Sequence, residues 1–239
     1  MSRRRDARRA FTGLVLLLAL VAGCGPAEPE GSPTEPERRP TQEATAVEGR
    51  APAPGTTGSV TVTATSVVVG DPQAPVRVHV YQDLSCPHCQ TLHALMADDV
   101  AAWAQGEDVA VEFTVVDYLG ARTTHGFSTR GAALLALVAD EHPEAWPAVQ
   151  EALFELQPTS TTQEVPDTDL LGAARDAGAD VEDGDLTHLA AYAGWVERAT
   201  AQAAAAGVGY IPQVWVDGEL VEGATHEETV ALLRQAVAD

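Results

Sequence analysis

Cys86 and Cys89, in the stretch "DLSCPHCQ", are the residues of this chain whose type and spacing best suit chemistry. Two thiols three positions apart can form a redox-active disulfide, supply half of a metal site, or staple a loop. A disulfide across so short a loop removes little chain entropy, so stapling is a weak reason for the pair. A zinc site needs about four ligands, usually including a second Cys or His pair. The third cysteine, Cys24, lies near the N-terminus, and the other histidines (His79, His93, His125, His142, His188 and His226) are scattered along the chain. No metal or other cofactor is expected, and those six histidines are read as surface or packing residues. A redox pair is what remains.

The flanking elements decide how such a pair behaves. "VRVHVY" (76–81) reads as a strand, and "HCQTLHALMADDVAAWA" (88–104) carries Leu92, Leu95, Met96, Val100 and Trp103 at helical spacing. The cysteines thus sit where a strand gives way to a helix. Pro87 suits the first helical turn, where its missing N–H costs nothing. The Cys86 sulfur would face unpaired N–H groups and the positive end of the helix dipole, which lower its pKa below the free value of about 8.5. His88, once protonated, would add to this. A stabilised thiolate favours the reduced pair and makes the disulfide an oxidant of other thiols. Cys86 is expected to be the exposed, attacking sulfur, and Cys89, one turn inward, the resolving one.

Strand signals precede and follow this unit, at 59–69 ("SVTVTATSVVV") and at 108–118 ("DVAVEFTVVDY"). The two strands around the helix form a β-α-β unit. An Ala-rich stretch then reads as helices at about 127–141, 143–156, 167–177 and 185–206. "QVWVDGELVEG" (213–223) places Asp217-Gly218 between two apolar runs, a hairpin signal. "HEETVALLRQAVA" (226–238) is a closing amphipathic helix capped near Thr225, with Glu228 three positions on. Ile211-Pro212 stands immediately before a strand, where a proline belongs at a strand start or in a cis turn.

The N-terminus reads as an address. "MSRRRDARR" is a basic segment, and Phe11–Ala22 is an apolar run too short, at about 18 Å of helix, for a roughly 30 Å hydrocarbon core. "LVAGC", ending at Cys24, resembles a bacterial lipobox, which implies a signal peptide over 1–23 and lipidation of Cys24. Residues 24–58 are rich in Pro, Glu, Thr and Gly and read as a disordered tether. All 14 basic residues are Arg, against 35 acidic ones, which excludes lysine Schiff bases and P-loop lysines. Loss of 1–23 removes five Arg and one Asp, moving the net charge from −21 to −25. A chain this acidic is repelled by nucleic acid and anionic lipid, so membrane attachment must come from the lipid.

Strand, "CPHC", helix, strand, helical block, "GYIPQVWVDGELVEG" and a last helix together resemble the DsbA-like branch of thioredoxin-fold thiol–disulfide oxidoreductases. The resemblance covers about residues 67–238. It implies an α/β thioredoxin fold over 59–239, a central mixed sheet flanked by helices, with a helical insertion at about 125–206. It also implies a cis proline at Pro212 that keeps a backbone N–H and metal ions from the thiolate, and an Ile211 backbone that pairs with an extended substrate strand. The implied function is a monomeric, membrane-tethered oxidoreductase on the extracytoplasmic face. It would form disulfides in exported proteins through Cys86, Pro87, His88 and Cys89, and a membrane partner would reset it. An isomerase or reductant of the same fold stays open, because Ile211 before the proline resembles thioredoxin, a reductant. A metallochaperone holding copper or zinc through the two cysteines is the alternative of another class. Where some members carry a buried Glu, this chain has Val80; Asp83 is placed either to relay protons to Cys89 or to cap the turn.

Overall fold

The structure, a computed structural model, describes residues 49–238. The signal segment, Cys24 and most of the expected tether lie outside the described residues. Two parallel strands hold the centre: β4 (Val76–Gln82) and β5 (Val109–Val115) pair from Val76 opposite Val109 to Gln82 opposite Val115. Both are rich in Val; β5 is buried on both faces, and β4 buries Val78, Val80 and Gln82 and half-buries the rest. Between them runs α1 (Pro87–Trp103), which turns Cys89, Leu92 and Met96 into the core.

The remaining strands are antiparallel additions. β6 (Gln213–Val216) lies against the free edge of β4, and β7 (Glu219–Val221) follows it in a hairpin. The connecting residues, Asp217 and Gly218, have φ of 48° and 86°, the positive pair that a two-residue turn requires. On the other side β3 (Val67–Val69) joins β5, then β2 (Val60–Val62), then β1 (Gly55–Thr57). The order β1-β2-β3-β5-β4-β6-β7 is a mixed sheet flanked by helices, the thioredoxin plan.

The helical insertion comprises α2 (Phe127–Glu141), α3 (Trp146–Glu155), α4 (Asp167–Asp176), α5 (Leu186–Leu189) and α6 (Ala193–Ala205), and α7 (His226–Ala238) closes the chain. α2 is apolar nearly all round and is buried from Gly131 to Ala139. Leu134, Trp146, Leu170 and Trp195 of the insertion belong to one hydrophobic cluster with Val78 and Val80 of the sheet. The insertion therefore enlarges the domain core and is not a detached lid.

Three expectations need correction. Residues 59–69 are not one strand, because the Thr63 and Ser66 hydroxyls, 2.6 Å apart, tie off a turn between β2 and β3. The tether does not run to residue 58. Gly55–Thr57 pairs with β2, the Ala53 N–H reaches Asp140 at 3.1 Å, and Arg50 pairs with Glu141 at 3.1 Å. Nor is 185–206 a single helix, since a short 3-10 turn at Ala190–Tyr192 separates α5 and α6. The Ala191 carbonyl, at this break, accepts from the Arg50 N–H at 2.8 Å. Tyr192 is anchored through its hydroxyl to Asp140 at 2.7 Å.

Candidate active site

Cys86 is the N-cap of α1, with extended backbone (φ −91°, ψ 114°), and Pro87 occupies the first turn. Both cysteines are free thiols, so the site is seen reduced. Donors converge on the Cys86 sulfur: first the Cys89 thiol, then the backbone N–H groups of Cys89 and His88. Burial works against them, yet the donors win, and the Cys86 pKa falls to about 6. The Cys89 thiol is pushed well up by burial and by donating to Cys86. At neutral pH Cys86 is about nine-tenths thiolate while Cys89 keeps its proton.

Cys86 is less open than expected. Only 5% of it is accessible, against 1% of Cys89. The Ile211 carbonyl stands 4.0 Å from its sulfur, and the segment that covers it lies more than a hundred residues away in sequence. Cys86 nonetheless forms part of the wall of a groove of about 590 Å³, together with Tyr118, Arg122, Tyr210 and Ile211.

Asp83 is fully buried and all its acceptor positions are used. Oδ1 takes the Ser85 N–H at 2.8 Å and the Ser128 hydroxyl, and Oδ2 takes the N–H groups of Tyr118 (2.8 Å) and Leu119 (2.9 Å). Burial raises its pKa, and these bonds partly offset the rise. Of the two roles open in the sequence, the geometry is that of a cap. It ties the cysteine loop to α2 and to the segment leaving β5. Val80 faces Phe113 across the parallel pair, and both are buried.

The Ile211-Pro212 bond is cis. The sheet register begins at Gln213, so the ladder leaves the Ile211 backbone unused. A second groove, of about 210 Å³, also borders this pair and is walled by His88, Pro212, Leu220 and His226. Tyr210, an exposed aromatic, and Ile211 border both grooves.

His88 meets the site in two ways. Its N–H serves Cys86, but its ring Nδ1 lies 3.0 Å from Nε2 of His226, at the start of α7. His226, read from sequence as a surface or packing residue, thus belongs to the site. His93, tilted against Phe154 with its pKa lowered by burial to about 4, and His79, stacked on Tyr81, are packing residues. Sequence reasoning also missed Tyr118, Arg122, Ser128 and Tyr210. Among the described residues no cluster of three or more His, Cys, Asp or Glu could hold a metal ion.

Comparison with known proteins agrees with this geometry. The family model Thioredoxin_4 (thioredoxin) matches residues 62–235. The oxidised DsbA of Mycobacterium tuberculosis is 28% identical, with a TM-score of 0.57 over 73% of this chain and 93% of that one. The reduced disulfide oxidoreductase DsbG of the same organism is 29% identical, with a TM-score of 0.57 over 72% and 84%. BdbD from Bacillus subtilis, at 20% identity and a TM-score of 0.62 over 80% and 100%, shares the fold. No curated protein matches the sequence.

Proposed function

The chain belongs to the Thioredoxin_4 family and is a protein thiol–disulfide oxidoreductase; we propose that it works as an oxidant, passing the Cys86–Cys89 disulfide to cysteine-containing exported proteins. The observation that carries this direction is the asymmetry of the pair, with Cys86 lowered to about 6 and Cys89 raised well above its ordinary value. Donors that stabilise a Cys86 thiolate stabilise only the reduced form, because the disulfide has no charge for them to meet. The couple is therefore poised toward reduction, at the expense of the partner's thiols.

The exchange runs in two steps. A substrate thiolate attacks the Cys86 sulfur, the Cys86–Cys89 bond breaks, and Cys89 leaves and takes up a proton, as its raised pKa favours. A second substrate thiolate then attacks the substrate sulfur of the mixed disulfide. The substrate disulfide closes and Cys86 departs as a stable thiolate. One disulfide is lost and one formed; of the two substrate protons, one ends on Cys89 and one in solvent. A thiol oxidant in the membrane must then remove two electrons from the pair, and the Cys89 proton is released as the disulfide re-forms. Mixing the disulfide form with an equimolar reduced, unfolded dithiol protein should transfer the disulfide nearly completely. A mixture in which the chain keeps its own disulfide contradicts the proposal.

Membrane attachment through a lipid on Cys24, on the extracytoplasmic face, belongs to the same reading. It is supported by the short apolar run, the "LVAGC" sequence and the acidic, Pro-rich segment after it. Among the described residues no helix is long and apolar enough to cross a membrane. Cys24→Ala should move the chain from the membrane fraction to the soluble one, and an unchanged membrane fraction contradicts the anchor.

A further inference from the structure

The groove beside Cys86 is lined by a cation, Arg122, that no carboxylate among the described residues pairs with. Of the seven arginines among the described residues, Arg50, Arg130, Arg175 and Arg234 are in ion pairs with carboxylates, and Arg77 donates to the Pro72 carbonyl. The guanidinium groups of Arg122 and Arg198 have no such partner among the described residues, and of these two only Arg122 is part of the wall that includes Cys86. In a chain of net charge −21, a cation beside the nucleophile with no carboxylate partner among the described residues runs against the overall excess of carboxylates.

Arg122 also stands on a fixed base. The loop before it is held by Asp83, which accepts the Tyr118 and Leu119 N–H groups, and by Asp117, which accepts the Gly120 N–H at 2.8 Å. The Arg122 N–H closes a turn onto the Leu119 carbonyl at 2.8 Å. Tyr118, whose hydroxyl donates to the Val208 carbonyl at 2.6 Å, forms a rigid wall of the same groove. The Cys86 thiolate is set by Cys89 and by backbone N–H groups, which leaves Arg122 free to meet a ligand.

We infer that this groove is a subsite for an acidic side chain next to the substrate cysteine, with Arg122 as its charge partner. The inference rests on the oxidoreductase reading above. A peptide lying along Ile211 with its cysteine at Cys86 has its neighbouring residue over the groove, where a carboxylate meets the guanidinium. Neutral neighbours gain only the apolar contact with Tyr118 and Tyr210, and basic ones are repelled.

The test is a single-turnover measurement with the disulfide form of the full folded domain. Three dithiol peptides would be compared, identical except for Glu, Gln or Lys on both sides of the first cysteine. The expected second-order rate constant is about three-fold higher for Glu than for Gln at low salt, falling toward equality at about 0.5 M salt, as for an exposed ion pair. Arg122→Glu should invert the order in favour of Lys, with unchanged circular dichroism because Arg122 is exposed and unpaired. Equal rates for all three peptides overturn the subsite while leaving the redox reading intact. A Glu preference that persists in Arg122→Glu overturns the assignment to Arg122. No oxidation of any peptide removes the oxidoreductase reading and the subsite with it.

Discussion

Nδ1 of His88 and Nε2 of His226 stand 3.0 Å apart, joining the second residue of α1 to the first residue of α7. One ring nitrogen must donate and the other accept, so the bridge tolerates a single proton between the two rings. Because the His88 ring is committed to His226 and only its N–H serves Cys86, His88→Ala should leave the thiolate in place. Its Cys86 pKa should stay within about half a unit of the wild-type value, since a backbone donor survives the substitution. The stability effects of His88→Ala and His226→Ala should be non-additive by about 0.5–1 kcal/mol in a double-mutant cycle read by denaturant unfolding. A large rise in the Cys86 pKa of His88→Ala would assign the thiolate to the ring instead.

The Cys89 side chain is the largest cause of the Cys86 shift. Cys89→Ser keeps a donor at that place and Cys89→Ala does not. Thiolate absorbance should therefore titrate at low pH in the Ser variant and move clearly toward the ordinary thiol range in the Ala variant. Both variants lack the resolving sulfur, so both should accumulate mixed disulfides through Cys86. Cys86→Ser should accumulate none.

The same shift makes stability depend on pH. The folded pKa of Cys86, about 6, lies well below the ordinary thiol value of about 8.5. The stabilisation of the reduced protein is therefore complete above pH 9 and is lost as pH falls through 6. Measured by urea unfolding, reduced wild type minus Cys86→Ser should grow by about 1.4 kcal/mol per pH unit between about 6 and 8.5, to a ceiling of about 3 kcal/mol. A difference that is flat across this range would contradict a depressed Cys86.

Gly131 of α2 approaches the cysteine loop so closely that a Cβ there would lie 2.7 Å from Leu84 Cδ1. Leu84 is fully buried two residues before Cys86 and has little room to yield. Gly131→Ala should cost about 1–3 kcal/mol by overpacking. Adding Leu84→Ala should cost less in that background than in wild type. Additive losses would mean that the two side chains do not share the space.

What could be read from the sequence was local. Strand, Cys86, Pro87 and helix are adjacent in the chain, so the N-cap position of the sulfur follows from spacing, and Asp217-Gly218 marks its hairpin in the same way. The features that sequence missed depend on long-range partners. Gly55–Thr57 has no apolar side chain and is a strand only because β2 lies beside it. At the break before α6 the Ala191 carbonyl accepts from the Arg50 N–H, about 140 residues earlier in the chain. His226 had no signal of its own, since it reaches His88 across 138 residues. The exposure expected for Cys86 failed for the same reason, because Ile211 arrives from 125 residues away to cover it.

The reduction potential of the Cys86–Cys89 couple, measured by equilibration with glutathione, tests most directly whether the stabilised thiolate makes this chain an oxidant. Known thiol–disulfide proteins run from about −120 mV for a strong oxidant to about −270 mV for thioredoxin. With Cys86 at about 6 and Cys89 protonated, a value less negative than about −200 mV is expected. A value near −270 mV would contradict it and make the chain a reductant.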